Sequence, residues 1–227
     1  MVNSLENLEK NIGYTFKNKA LLKNALTHTS YAYENNVASN EKLEFLGDSI
    51  LEFLSSKYIY NNYPKLKEGE MTKVRATVVC EDSLHKIAQK HNFSDFLYLG
   101  KSEMKHGGNK KPAIMADSVE AVIAAMYFDS GLEACEKFIV ENLKDDIKIA
   151  SQNVGMKDHK TILQEKLQVH GNVKIEYEII KEEGPDHDKT FTAEVKLNGK
   201  VLATGTGKTK KHAEMDAADK ALKLLEK

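Results

Sequence analysis

Two stretches far apart in the chain carry residues that could do chemistry. In Asn40 to Leu54, NEKLEFLGDSILEFL, a helical turn of about 100° per residue puts Glu41, Glu44, Asp48 and Glu52 on one narrow stripe. Leu43, Leu46, Ile50, Phe53 and Leu54 fall opposite, on the face a core would take. Four acids without interleaved Lys or Arg repel one another at i,i+3 and i,i+4. The stripe is therefore either a solvated surface or a place where something positive is held. In Ala113 to Tyr127, AIMADSVEAVIAAMY, the helix is apolar nearly all round, yet Asp117 and Glu120 share one face of it. Buried carboxylates are costly unless paired or bound to a metal, and this helix contains no Lys, Arg or His. The economical arrangement sets Asp117 and Glu120 across a shared site from Glu44 and Asp48. Four such acids would protonate or splay apart without counter-charge. A hard divalent cation with oxygen ligands, Mg²⁺ with Mn²⁺ as a substitute, removes the problem. A protonated or water-bridged acid pair is the alternative.

The elements that must position these acids follow from periodicity. Helices are expected at 3–10 and 18–29, joined by NIGYTFKN, where Gly13 and Asn18 suit a turn. His28, in ALTHTS, reads as a structural hydrogen-bonder. Residues 31–39 read as a polar loop, with Ser39 or Asn40 as the N-cap of the acidic helix, which runs to about Tyr60 before Pro64. Gly47 inside that helix costs about 1 kcal/mol relative to Ala, so a close approach of another helix is expected there. Phe45, at the edge of the acidic stripe, is either a partly exposed core residue or a contact with a second subunit. One long helix is expected after Gly69, running to about Asn92, with Val74, Val78, Leu84, Ile87 and Ala88 in the core. Lys73 and Arg75 in its first turns either meet phosphates or are solvated. After the short apolar 93–100, KSEMKHGGNKK at 101–111 reads as a flexible basic loop before the second acidic helix. Leu132 to Ile149 closes a unit that is helical throughout.

From 150 the periodicity stops. Residues 151–159 are the expected linker between a first domain, 1–150, and a second, 160–227. In the second, KTILQEKLQ (160–168) is a short helix, 174–181 and 190–197 alternate as strands, Asn198-Gly199 is a two-residue hairpin turn, and 201–205 is a third strand. A last helix follows, with Ala213, Ala217, Ala218, Leu222 and Leu225 as its apolar stripe. Lys208, Lys210 and Lys211 crowd its start, where cations oppose the helix dipole unless that end grips phosphates. No row of aromatics lines a sheet face for base stacking, so shape recognition of an RNA duplex fits better than single-strand binding.

Composition narrows the class. Hydrophobic residues make up 41% and charged residues 30% of 227, ordinary for a globular protein. The net charge of −1 means that a polyanionic partner must be attracted by local patches. Two cysteines, Cys80 and Cys135, without CxxC spacing suit free buried thiols in a reducing compartment. With no apolar signal core and no spanning run, the expectation is a cytoplasmic protein with no membrane partner.

The chain resembles bacterial ribonuclease III over essentially its whole length. EKLEFLGDS at 41–49 is similar to the family's signature, and ALTHTS, EGEMTKVRATVV and ADSVEA match further blocks. Residues 160–226 resemble a double-stranded-RNA-binding domain. The resemblance implies an all-α endonuclease domain followed by an α-β-β-β-α domain. It implies that Glu44, Asp48, Asp117 and Glu120 are catalytic metal ligands, with Glu41 and Glu68 as secondary acids near the scissile strand. It implies RNA contacts from the first helix (Gln164, Glu165), from His187 in the GPDHD loop and from Lys208, Lys210 and Lys211. Phe45 would plug a socket in a second subunit, making a homodimer that cuts both strands of double-stranded RNA. The implied products carry 5′-phosphate and 3′-hydroxyl ends, from precursors such as ribosomal RNA, with no small-molecule cofactor. Two competing readings are a non-catalytic duplex-RNA-binding regulator and a helical phosphohydrolase of small nucleotides.

Overall fold

The computed structural model describes residues 4–154, 159–168, 173–185 and 189–225, which divide between two units, Met1–Gly155 and Met156–Lys227. The first is a succession of helices: α1 (Leu5–Ile12), α2 (Lys19–Ala25), α3 (Thr29–Asn35), α4 (Glu41–Asn62), α5 (Glu68–Val78), α6 (Glu81–Lys90), α7 (Lys101–Lys105), α8 (Pro112–Ser130) and α9 (Leu132–Val154). α8 is the axis. Val119, Ala121, Val122, Ala124, Ala125 and Met126 are wholly buried, and α2, α4, α6 and α9 pack around them. Burying each larger apolar side chain stabilises by about 1.5–3 kcal/mol, which is why a helix without a polar face sits at the centre.

The contact between α4 and α8 depends on Gly47. A Cβ there would fall 1.9 Å from the carbonyl oxygen of Glu120, so only glycine lets the two backbones touch. This is the close approach expected from a glycine in a helix interior.

Several local expectations are corrected. Residues 29–35 form α3 rather than a loop: His28 accepts from the Ser30 N–H, and Asn36 ends the helix in the left-handed conformation at φ 52°. The long helix expected after Gly69 begins at Glu68 and breaks into α5 and α6. Cys80 is extended at ψ 161°, after two β-branched valines. The basic segment 101–111 is not a loop but α7 and a 3₁₀ turn over Gly108–Lys110. Glu34 accepts from the Lys101 N–H at 2.9 Å and Ser30 Oγ from the Gly100 N–H at 2.9 Å, which fixes the start of α7. Phe53 is 56% exposed, so it is not on the core face of α4, whereas Val74, Val78, Leu84, Ile87 and Ala88 are buried as expected. Cys135 is buried but Cys80 is exposed. α9 continues to Val154, into the stretch expected as linker.

The second unit runs α10 (His159–Gln168), β1 (Ile175–Glu183), β2 (Thr190–Leu197), β3 (Lys200–Gly207) and α11 (Lys210–Leu225). The antiparallel sheet has the order β1-β2-β3, and Asn198 and Gly199, at φ 48° and 80°, make the β2–β3 hairpin turn. α11 lies on the sheet through Ala213, Ala217, Ala218, Ala221 and Leu222. Leu225, expected in that stripe, is 41% exposed near the helix end. A Cβ on Gly205 would fall 2.1 Å from the Ala217 nitrogen, so glycine and alanine together bring helix and strand close.

Candidate active site

The contact at Gly47 places the acids. Glu44 and Asp48 flank that glycine on α4, and Asp117 and Glu120 lie on the α8 turn it touches. Glu44, Asp117 and Glu120 each offer a carboxylate oxygen, all within 4.8 Å of one another, and all three residues are half-buried. Among the described residues, no ammonium or guanidinium pairs with any of them.

Burial and mutual repulsion hold these carboxyls in their neutral forms more strongly than usual. Glu120 is pushed up to about 8, first by burial, then by Asp48, Asp117 and Glu44. Glu44 is raised by burial, then by Asp117, Glu41 and Asp48. Asp117 is raised by burial and by Glu81, with His28 acting in the opposite sense. A set of hard oxygen donors in this condition suits a divalent cation, which would relieve the repulsion.

The expected site residues do not all converge. Asp48 is exposed and stands outside the three-oxygen cluster, although its charge acts on both Glu44 and Glu120. Glu41 is exposed, accepts from Ser39 Oγ at 2.8 Å and acts on Glu44. Asn40, at the N-cap, makes no side-chain cap bond. Glu52, the last acid of the stripe, pairs with Arg75 Nε at 3.0 Å, and Arg75 also donates to Ser56 Oγ at 2.9 Å. Arg75 is thus occupied rather than presented to phosphate. Glu68 lines a groove with Ser56, Tyr60, Met71 and Arg75, on the part of α4 about 18 Å along the axis from Glu44. Phe45 projects from α4 and is 78% exposed. Glu81 escaped the sequence reading because the break at Cys80, which brings the first turn of α6 towards α8, carries no strong local signal.

Comparison with known proteins decides the family. Residues 18–147 match the family described as Ribonuclease-III-like, and residues 159–225 match the double-stranded RNA binding motif. Ribonuclease 3 of Carboxydothermus hydrogenoformans is 48% identical over 225 residues, covering 98% of this chain and 96% of its own. Ribonuclease 3 of Clostridium perfringens is 45% identical over 225 residues, covering 99% and 94%. The chain belongs to the ribonuclease III family. Among solved structures, the crystal structure of the ribonuclease III nuclease domain from Campylobacter jejuni matches with a TM-score of 0.59 and 36% identity, over 63% of this chain and 96% of that one. A second structure of that domain, which concerns structural flexibility in a region involved in dimer formation, matches at 0.58 and 37%, over 62% and 99%.

As a ribonuclease III the chain is an endoribonuclease with a double-stranded-RNA-binding domain, which favours catalysis over the purely regulatory reading. In that domain Gln164 and Glu165 are exposed on α10, and Lys208, Lys210 and Lys211 are exposed at the start of α11. Lys210 already pairs with Glu182 at 3.1 Å and lies over the Phe191 ring at 5.7 Å. Thr209 Oγ1 caps α11 by accepting from the His212 N–H at 3.1 Å. His187 lies outside the described residues. No helix among the described residues is long and apolar enough to cross a membrane.

Proposed function

We infer that this ribonuclease III is a metal-dependent hydrolase of phosphodiester bonds in double-stranded RNA, leaving 5′-phosphate and 3′-hydroxyl ends. The observation that carries the reading is the cluster of Glu44, Asp117 and Glu120, unpaired and half-buried where two helix backbones touch. These three would hold Mg²⁺, or Mn²⁺ in its place, with Asp48 beside them. When bound, the cation supplies Lewis-acid activation of water and neutralises charge at the phosphate. The protein contributes the position of its oxygens: Asp117 and Glu120 project from a helix whose other faces are packed, so they reorganise little between steps. Glu41 adds negative charge at the rim and acts through Glu44.

Gln164, Glu165, His187, Lys208, Lys210 and Lys211 are proposed to hold the duplex by its shape, through phosphates and 2′-hydroxyls. A second copy of the chain would cover Phe45, one residue from Glu44, and so set two sites against the two strands. The natural substrates proposed are structured precursors such as ribosomal RNA, met in the cytoplasm, where thiols such as the exposed Cys80 stay reduced.

The test is Glu120→Gln in a duplex-cleavage assay with and without Mg²⁺. The variant should bind duplex RNA as the parent does and cleave at least about a hundredfold more slowly, as expected when a preorganised electrostatic group is lost. Retained Mg²⁺-dependent turnover in the variant overturns the assignment.

A further inference from the structure

His28 sits where the chain passes from α2 to α3, tied to the acidic site by backbone. Its N–H donates to the Tyr98 carbonyl at 3.1 Å. The preceding residue, Thr27, accepts from the Asn40 N–H at 2.8 Å, and Asn40 in turn accepts from the Glu44 N–H at 2.9 Å. The ring is half-buried and lies within electrostatic reach of Asp117 on α8 and Glu103 on α7.

The imidazole is oriented from one side only. Nδ1 accepts from the Ser30 N–H at 3.2 Å, and Ser30 Oγ lies 2.8 Å from the same nitrogen. That hydroxyl oxygen accepts from the Gly100 N–H at 2.9 Å, and with Nδ1 already accepting from the Ser30 N–H it is the hydroxyl that donates to the ring. Two donors converge on Nδ1, so Nδ1 carries the lone pair and the proton of the neutral ring rides on Nε2. The frame around this contact has no slack: a Cβ on Gly100 would fall 2.8 Å from the Ser30 carbonyl oxygen and 2.7 Å from Glu34 Oε1. On the other side, among the described residues, Nε2 meets only Thr29 Oγ1, at 3.5 Å, the outer limit of a hydrogen bond. A ring held firmly at Nδ1 and engaged so weakly at Nε2 keeps that second nitrogen available to a ligand. Next to carboxylates that would gather a cation, the oxygen that suits it is anionic and drawn to the same cation, as a phosphate oxygen is.

We propose that His28 is a substrate-binding residue, its Nε2–H donating to a non-bridging oxygen of an RNA phosphate at the carboxylate cluster, with the Thr29 hydroxyl alongside. The proposal rests on the metal-dependent reading of that cluster. His28→Asn separates the two sides of the ring: the Asn oxygen can still accept from the Ser30 N–H and keep the α3 cap, but nothing replaces the Nε2 donor. His28→Gln carries an amide N–H in reach of the Nε2 position. The expected result for His28→Asn is an unchanged melting temperature, unchanged half-saturating Mg²⁺, and single-turnover cleavage about 10- to 100-fold slower, the worth of one hydrogen bond to a charged group. His28→Gln should recover part of that loss. In ¹⁵N-detected NMR of Glu120→Gln, the His28 ring should show the Nε2–H tautomer, and its Nε2–H should shift and exchange more slowly when duplex RNA is added. Parental cleavage in His28→Asn overturns the proposal. So does a loss that tracks a lowered melting temperature or a raised Mg²⁺ requirement, since the ring would then only support α3 or Asp117. If the parent and Glu120→Gln cleave alike, the metal-dependent reading fails, while the response of Nε2–H to duplex still decides the role of His28.

Discussion

In the first unit Gly47 lets the backbone of Glu120 touch α4; in the second, Gly205 lets that of Ala217 touch β3. The missing side chains would fall 1.9 and 2.1 Å from the facing backbone atoms. The mechanical device is the same, but the surroundings differ. Around Gly47 the neighbouring turns carry Glu44, Asp48, Asp117 and Glu120, with no cation pairing the three that cluster. Around Gly205 the neighbours are Ala213 and Ala217, and the nearby charges compensate one another: Asp216 accepts from the Thr206 N–H and pairs with Lys220, both at 2.8 Å. One unit leaves acids unpaired at its tightest contact, an arrangement that suits a bound cation. The other makes an inert core there and keeps its lysines on the outside, where a polyanion can reach them.

The widest separation between the two units should come from adding one methyl group to each contact. Gly47→Ala is expected to destabilise the first unit by about 3 kcal/mol through overpacking and to lower cleavage at least about a hundredfold by moving Glu120 away from Glu44. Gly205→Ala should depress the transition of the second unit and weaken duplex binding, leaving the first unit's transition in place. Calorimetry alongside cleavage and binding assays reads all of these. Equal loss of the first unit's transition in both variants would end the comparison.

A smaller difference should appear in pH dependence without divalent metal. Glu120 binds its proton more tightly in the folded chain, at about 8, than at its ordinary 4.5. The stability this contributes is complete below the ordinary value and is lost as pH rises through about 8. In chelator, the melting temperature of the first unit should therefore fall across that window, Mg²⁺ at the alkaline end should restore it, and Glu120→Gln should flatten the fall. Asp216 behaves oppositely. Burial pushes its carboxyl up, but Lys220 and the Thr206 N–H outweigh burial and leave it below its ordinary 3.8. Its contribution is present above that value and is lost as pH falls through the lowered one. A first unit whose melting in chelator ignores pH would contradict the charge assignment.

The smallest expected effects belong to the lysines. Lys210→Ala and Lys211→Ala should each reduce the salt dependence of duplex binding by about one phosphate contact. Because Lys210 is shared with Glu182, Glu182→Ala should tighten binding a few-fold, an exposed pair being worth about 0.2–1 kcal/mol. An unchanged salt slope in both lysine variants removes them from the interface.

Much of this was legible in the amino-acid order. The two acidic stretches, the tight approach at Gly47, the strand periods and the Asn198-Gly199 turn are local patterns, and local patterns are written in consecutive residues. What failed was also local in form but tertiary in cause. α3 exists because His28 caps it, and its side chains Ser30 and Glu34 hold the start of α7, itself expected as a loop. The long helix expected after Gly69 breaks at Cys80, and the exposure of Phe53 depends on which neighbours α4 meets.

The sequence by itself determined which side chains could form a charge cluster and which helix had to be buried, since residue types and periodicity settle both. Only the tertiary structure decided which acids meet. Glu44, Asp117 and Glu120 converge, Asp48 stays at the rim, Glu52 is drawn off by Arg75, and Glu81 and His28 arrive from points where an expected helix breaks or ends early. The reason is that distances between side chains on different helices depend on how closely backbones approach, and that closeness is a property of the packed whole.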